Sequence, residues 1–193
     1  MPEMIRDGKG RGFLAEVNEQ QQLTAVVVAQ REESYIADKF GETYIISTNG
    51  VILNSINQHV LLYIKNTSSV KKLYHATLEA GYNGGSTNYD RSMKLQILAG
   101  FTGPSANHGV CPISNVNFSS GNVAEADAYR WDGVGDGMTI AGGGIVNEGV
   151  FPMGLRLFET YGLPIMGLND YMAIAVEAEE IGNVSVAIRL FYK

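Results

Sequence analysis

A glycine-rich stretch near the start of the chain has residue types that bind phosphate in other proteins. Residues 8–12 read GKGRG, so that glycines alternate with Lys9 and Arg11. Such a loop holds phosphate when its spacing matches a P-loop or a dinucleotide fingerprint and when a helix follows it. Here the spacing is G-x-G-x-G, and the next residues alternate as a strand does. The pattern therefore argues against a phosphate site and favours an extended segment that lies along a neighbouring surface.

The histidines and the cysteine form no local metal motif. His59, His75 and His108 are far apart, and a single cysteine, Cys111, excludes an internal disulfide and a cysteine-based zinc cluster. His108 lies three residues from Cys111 in a predicted loop, which leaves a Cys–His nucleophile as an alternative. We favour structural roles for these residues, because no third group is present to orient a pair of His108 and Cys111. His59 and His75 lie in predicted strands, and we expect them to be hydrogen-bonded or at the surface.

The acidic residues are better explained by turns than by a calcium site. Asp132 and Asp136 lie in WDGVGDG, which lacks the alternating oxygen ligands and the distant glutamate of an EF-hand loop. Glu179 and Glu180 read as the polar end of a strand. Carboxylates paired for glycoside hydrolysis depend on spatial distance, so a β-sandwich enzyme such as a polysaccharide depolymerase stays an alternative. We predict no enzyme activity, no cofactor and no metal.

Composition restricts the class of protein. The 193 residues carry a net charge of -6, and 45% of them are hydrophobic, with 23 glycines and 10 tyrosines. This composition favours a turn-rich β protein. The negative charge argues against nucleic acid as a partner, and the absence of a long apolar run or a secretory signal argues against a membrane. We expect a chain that is made and used as a soluble protein.

Apolar residues alternate with period two along most of the chain, which predicts strands. Residues 13–17 and 23–28 flank a polar connection and predict a hairpin, whereas 31–40 predict a short helix or a loop. Glycine-rich and asparagine-rich connections are predicted at 101–109 and 141–144, among others. The alternation predicts further strands at 43–48, 59–66, 71–80, 92–100, 125–133, 154–160, 171–179 and 184–192.

These elements predict an all-β fold. The sequence lacks the long helical runs that connect parallel strands, so the strands should pair antiparallel. Two sheets packed as a β-sandwich follow, and the jelly roll is the commonest eight-stranded arrangement. We therefore predict an N-terminal arm with a hairpin at 1–35 and a jelly-roll body at 36–193.

The opening segment, IRDGKGRGFLAEVNEQQQL, resembles the N-terminal segment of virion structural proteins of tailed bacteriophages, including capsid decoration (cement) proteins. The shared pattern is I-x-D-G-x-G-x-G followed by A-x-V-N-E and a leucine. Three later stretches also resemble the β-sandwich bodies of these proteins: LLYIKNTSS at 61–69, ISNVNFSSG at 113–121 and VSVAIRLFYK at 184–193. The resemblance thus covers both ends and the middle of the chain.

The resemblance implies a homotrimer that binds the major capsid protein on the capsid exterior and holds neighbouring coat subunits together. It implies no catalytic residues. Lys9 and Arg11 are also expected to pair with carboxylates of the neighbouring surface. The arm residues expected to contact the capsid are Ile5, Asp7, Gly8, Lys9, Gly10, Arg11, Gly12, Ala15, Val17, Asn18 and Leu23.

A second virion role stays open, because the same opening segment also occurs in phage proteins of other virion locations. The chain is then a tail, neck or fibre component whose β-sandwich recognises the host. In that case Tyr82, Tyr89 and Tyr129 are expected to be exposed and to stack on sugars.

Overall fold

The chain divides into two compact units, residues 1–31 and residues 32–193. In the first unit, β1 (Glu16–Val17) pairs antiparallel with β2 (Leu23–Thr24), as the predicted hairpin requires. The computed structural model describes residues 16–17, 23–24, 32–84, 91–152, 154–159 and 165–193.

In its described residues, the second unit has one helix and twelve strands, and all eight strands predicted for the body are present. The elements are α1 (Glu32–Phe40), β3 (Thr43–Ser47), β4 (Val51–Ile52), β5 (His59–Asn66), β6 (Leu73–Gly84), β7 (Ser92–Ala106), β8 (His108–Val110), β9 (Ile113–Asn115), β10 (Ala126–Trp131), β11 (Thr139–Pro152), β12 (Gly154–Glu159), β13 (Tyr171–Ala178) and β14 (Gly182–Tyr192).

The pairing of the strands is that of a jelly roll. β3 pairs with β14, β5 with β13, β6 with β12 and β7 with β11, so that early strands pair with late ones as in a rolled-up hairpin. All of these pairs are antiparallel. One sheet has the order β12-β6-β14-β3-β9, and we call it the β14 sheet. The other, the β13 sheet, has the order β11-β7-β13-β5-β10-β8.

The core lies between the two sheets. In β14, Val184, Val186 and Ile188 are buried while the residues between them are at least partly exposed, which is the period-two pattern of a strand with one covered face. Met172 and Ile174 of β13 are fully buried as well. Burial of each such large apolar side chain stabilises the fold by about 1.5–3 kcal/mol.

The outer face of the β13 sheet is buried in part. Ala175 lies opposite Gln96, and Glu177 lies opposite Lys94, so these four residues share a face that carries charge. Ala175 and Gln96 are nevertheless buried. Glu177, on the same face, is exposed.

The β7–β11 ribbon continues past β13 and then turns back. Ala99 pairs with Met172, which pairs with Ile64 near the end of β5. Seven residues later, Ala106 pairs with Thr139, and the neighbouring Met138 N–H donates to the carbonyl of Val60 near the start of β5 (3.0 Å). The ribbon thus turns back along β5. Gly100 and Gly103, at φ 75° and 138°, allow this turn because they lack a Cβ.

Two predicted connections are wrong. Residues 101–106 continue β7, and 141–144, the glycine run, lies inside β11. Glycine signals a turn because it tolerates positive φ, but Gly142 and Gly143 use this freedom within an edge strand that has register shifts. The glycines therefore mark an irregular strand rather than the end of one.

α1 is a helix, and the loop alternative for residues 31–40 is wrong. Gly41 ends it with φ 63° and donates its N–H to the carbonyl of Ala37 (3.2 Å), which is a left-handed C-terminal cap. Among the described side chains of α1, Ile36 is buried, whereas Ser34 and Phe40 are exposed. The helix spans the predicted arm–body boundary at residues 35 and 36.

Candidate interaction surface

Most of the predicted capsid-binding arm lies outside the described residues. The exceptions are Val17 and Leu23, which lie opposite each other in β1 and β2. The residues outside the described part are Ile5, Asp7, Gly8, Lys9, Gly10, Arg11, Gly12, Ala15 and Asn18. Evidence for an interaction surface therefore comes from the described residues of the body.

Four segments of the second unit meet at one end of the sandwich, which we call the α1 end. They are residues 37–42, 67–72, 116–125 and 165–170. Backbone hydrogen bonds join them: Thr67 N–H donates to Glu125 O (2.9 Å), and Leu73 and Met166 exchange two bonds of 2.9 and 3.0 Å. The α1 end is therefore a composite of loops held in one arrangement.

Asn66 is the main connector at this end. Its fully buried side chain donates from Nδ2 to the carbonyls of Lys71 (3.1 Å) and Met166 (2.9 Å), and its Oδ1 accepts from Ser68 N–H (3.0 Å). Its backbone carbonyl also accepts from Asn169 N–H (2.9 Å). Since buried polar groups must be hydrogen-bonded, this amide ties two loops to the end of β5.

Three asparagine amides fix the last turn of α1. Asn117 donates to Ala37 O (2.9 Å), and Asn122 donates to Phe40 O (2.6 Å). Asn115 donates to Gly41 O (2.7 Å). The last carbonyls of a helix have no partner within the helix. The 115–122 loop supplies those partners, so the loop and the helix end hold each other in place.

The most exposed apolar residues of the described chain lie on these loops. Phe118 is 93% exposed, Val123 is 84% exposed and Val70 is 81% exposed. Phe118 also lines a cavity of about 380 Å³ with α1 residues Ser34, Ala37 and Asp38. An exposed aromatic ring on a rigid loop is typical of residues that dominate binding at protein interfaces.

Charged groups lie at the same end of the sandwich. Lys71 forms an ion pair with Glu42, whose backbone carbonyl accepts from Tyr192 N–H (3.1 Å). Lys72 and Lys193 are exposed and exchange two backbone hydrogen bonds of 3.0 Å. The surface is therefore apolar at its most exposed points and polar between them, like the core and rim of an interface.

Two buried tyrosines lie beneath this surface. The rings of Tyr44 and Tyr192 pack edge to face with centroids 5.8 Å apart. Burial is the largest cause that raises the pKa of Tyr44, and the charges of Glu42 and Glu125 raise it further. Burial is also the largest cause that raises the pKa of Tyr192. Both phenols stay neutral at physiological pH and serve as packing groups.

The histidines and the cysteine do not form a nucleophilic pair. His108 lies in β8, not in the predicted loop, and its ring contacts Tyr129 edge-on at 5.1 Å. The buried Cys111 donates from Sγ to Ser47 O (3.3 Å), and burial raises the pKa of this thiol. A raised pKa leaves less thiolate, so this thiol is a weak nucleophile.

The other two histidines differ from each other. His59 is fully buried and satisfied, with Nδ1 2.7 Å from Asn57 O and Nε2 2.8 Å from Asn54 Oδ1. His75 Nε2 is buried and has no hydrogen-bond partner among the described residues, and burial lowers the pKa of His75 to about 4. The prediction of a satisfied or surface imidazole therefore fails for His75.

The acidic residues take part in turns and strand ends, as the sequence predicted. Asp132 Oδ1 accepts from Val134 N–H (2.9 Å), and Asp136 Oδ1 accepts from the Ser55 hydroxyl (3.1 Å). Glu179 Oε2 accepts from Ser92 N–H (2.8 Å). In the part of the chain that the structure describes, no three His, Cys, Asp or Glu side chains group as metal ligands.

The tyrosines expected to stack on sugars do not form an exposed set. Tyr82 is buried, and its hydroxyl donates to Glu180 O (3.1 Å), so the expectation of an exposed ring is wrong. Tyr129 is half-buried and packs against Tyr63 with ring centroids 6.0 Å apart. Tyr89 lies outside the described residues.

Sequence reasoning missed the α1 end because its parts come from four separate segments. The signal that was present is the repeated asparagine in residues 113–122, ISNVNFSSGN, where each amide can donate to a distant carbonyl. Asparagine in a loop of this composition is typical of turns, which is a local role. The hydrogen bonds to α1 span more than 70 residues and leave no trace in local periodicity.

Comparison with known protein families, curated proteins and solved structures finds no match for this chain. α1 is the helix of the described ranges, and neither its length nor its composition suits a transmembrane segment. The case for a function therefore depends on the surface geometry and on the resemblance of the opening segment.

Proposed function

We propose that this chain is a phage capsid decoration protein that binds the outer surface of the major capsid lattice as a homotrimer. The observation that carries the proposal is the α1 end, where Phe118, Val123 and Val70 are exposed on loops that asparagine amides tie to neighbouring segments. A surface fixed before binding loses little conformational entropy when it docks. The jelly-roll body agrees with the fold that the resemblance implies.

The arm and the α1 end act together in this proposal. α1 begins at Glu32, later in the chain than Leu23, which is the last residue predicted to contact the capsid. Two linked contacts raise the local concentration of each other, so that individually weak contacts give stable attachment. Three copies on a threefold lattice site multiply this effect.

The test is cosedimentation of the full-length chain with empty heads assembled from the phage's major capsid protein. The variant Phe118→Ser removes the exposed ring, and a buried Phe contributes about 1.5–3 kcal/mol. We therefore expect binding to weaken about 10-fold to 100-fold. Ile52→Ser, at an exposed site near the opposite end of β14, is the matched control and should bind as the unaltered chain does.

Three outcomes separate the parts of the proposal. An unaltered chain that stays in the supernatant refutes the capsid role. Binding that survives Phe118→Ser refutes the role of the α1 end. Deletion of residues 1–30 should also abolish binding, and retention of binding would show that the arm is dispensable.

The alternative role in a tail, neck or fibre is less well supported. It depends on aromatic rings open to sugars, and Tyr82 and Tyr129 do not provide them. A glycan array tests it directly, because specific binding of a host sugar would favour host recognition over capsid decoration.

A further inference from the structure

Asparagine followed by glycine occurs at two places in the chain, Asn49–Gly50 and Asn83–Gly84. Such a pair can react with itself, because glycine has no Cβ to keep its backbone nitrogen away from the asparagine side-chain carbonyl. Both asparagines are exposed to solvent. Exposure therefore does not decide which pair reacts, and the freedom of the backbone does.

The backbone of the second pair is held in a strand. In the β6–β14 ladder Asn83 lies opposite Asn183, and Gly84 lies opposite Gly182. A Cβ built on Gly84 would clash with the carboxylate of Glu180, so this side chain lies directly against the glycine. Ring closure between Asn83 and Gly84 requires rotation of the Asn83 backbone, which the ladder prevents unless the end of the strand opens.

The first pair lies outside the strands, in the connection between β3 and β4. Asn49 is held through its own backbone, since its N–H donates to Ser47 Oγ (3.2 Å) and its carbonyl accepts from Thr48 Oγ1 (2.9 Å). Within the described part of the chain, neither the Asn49 side-chain amide nor the Gly50 N–H has a hydrogen bond. The two groups that have to meet are therefore both available for reaction.

We propose that Asn49 is a site of spontaneous deamidation and that the strand protects Asn83. The Gly50 nitrogen attacks Cγ of Asn49 and loses its proton. The new C–N bond closes a succinimide ring, the bond from Cγ to Nδ2 breaks, and ammonia leaves with that proton. Water then adds to one of the two ring carbonyls.

The carbonyl that water attacks determines the product. Addition at Cγ gives aspartate, whereas addition at the backbone carbonyl gives isoaspartate, in which the chain runs through the side-chain carboxyl group. Water is the one added reactant, and no group is oxidised or reduced. Either product adds a negative charge to the exposed connection.

Isoaspartate at position 49 lengthens a connection that is anchored on both sides. Before it, Thr48 N–H donates to Val186 O (2.9 Å), and Thr48 Oγ1 accepts from Val186 N–H (3.0 Å). After it, Leu53 N–H donates to Gly182 O (2.9 Å). The extra backbone methylene group has to fit between these anchors, so the short strand β4 should lose its pairing with β14.

The test follows the full-length chain during incubation in mildly alkaline buffer, which favours loss of the Gly50 proton. Peptide mass spectrometry locates each amide that has become an acid, and an isoaspartyl methyltransferase with a labelled methyl donor measures isoaspartate. Deamidation should be at least about 10-fold faster at Asn49 than at Asn83, because Asn83 reacts only after local opening of the ladder.

Gly50→Ala tests the mechanism, because the added Cβ shields the attacking nitrogen. The fold tolerates this change, since Gly50 has no positive φ and the atoms nearest to its Cβ belong to the flexible side chain of Asn183. Deamidation at Asn49 should be lost over the same incubation. Gly121→Ala, at a glycine with open space around its Cβ, is the matched control and should deamidate at Asn49 as the unaltered chain does.

A second variant separates the added charge from the longer backbone. Freshly prepared Asn49→Asp carries the charge alone, so amide hydrogen exchange at residues 51–53 should match that of the fresh unaltered chain. In the unaltered chain this exchange should become faster as isoaspartate accumulates. Thermal midpoints of all variants show that they fold.

An Asn49 that stays an amide while other asparagines are converted overturns the inference. So does deamidation of Asn83 at the same rate, or deamidation of Asn49 that continues unchanged in Gly50→Ala. None of these results depends on capsid binding, so they stand apart from the test of the proposed function.

Discussion

Removal of the Asn66 amide should destabilise the whole body. Asn66→Ala deletes three side-chain hydrogen bonds and leaves the carbonyls of Lys71 and Met166 and the N–H of Ser68 without these partners. A net hydrogen bond contributes about 0.5–1.5 kcal/mol, and a buried group left unsatisfied costs about 1–3 kcal/mol. We expect the free energy of unfolding to fall by about 2–4 kcal/mol. That is a large part of the roughly 5–15 kcal/mol by which domains are stable.

Urea unfolding measures this loss through the fluorescence of Trp131, the single tryptophan of the chain, which is buried. With a denaturant slope of about 1–3 kcal/mol/M, the midpoint should fall by about 1 M or more. Asn66→Asp should lose at least as much, because it sets an oxygen against two carbonyls. Asn147→Ala, at an exposed site, should change stability by less than about 0.5 kcal/mol. A loss below about 1 kcal/mol for Asn66→Ala would refute the role of Asn66 as a connector.

Two further predictions concern the body. Gly137→Ala places a Cβ 2.5 Å from Val60 N at φ 96°. The clash and the backbone strain should lower the free energy of unfolding by more than about 2 kcal/mol. The control Gly109→Ala, with open space around its Cβ, should leave the thermal midpoint unchanged. The pKa of His75 is about 4 in the folded chain and 6.5 in the unfolded chain. Between these pH values the unfolded chain therefore binds more protons than the folded chain. The free energy of unfolding should fall by about 1–3 kcal/mol as the pH drops from about 7 to about 4. His75→Gln should flatten that part of a urea-unfolding profile, and an unchanged slope would contradict the assignment.

The predicted strands succeeded where at least one face of a strand is buried: β14 has one buried face along most of its length, and β5 is buried on both faces. β5 was predicted with its observed bounds, His59–Asn66, and β14 was predicted nearly in full. Burial on one face imposes alternation, and alternation is visible in sequence. The antiparallel sandwich followed from these strands and from the lack of long helices.

β11 was missed for the opposite physical reason. A strand open to solvent on both faces has no buried side to impose alternation, and its glycines mimic a turn. The α1 end was missed because Asn66, Asn117 and Asn122 act through carbonyls that are distant in sequence. Local patterns record the strand that a residue belongs to, but not its long-range hydrogen bonds.

The pairing of β3 with β14 has a consequence for synthesis. Thr48 and Val186 are hydrogen-bonded although 138 residues separate them. During translation, β3 is synthesised long before β14, so it lacks this partner until the intervening chain is complete. Strand pairing over such a distance in sequence is slow. A product that stops before β14 leaves the centre of one sheet empty, so only chains translated through Tyr192 can close the roll.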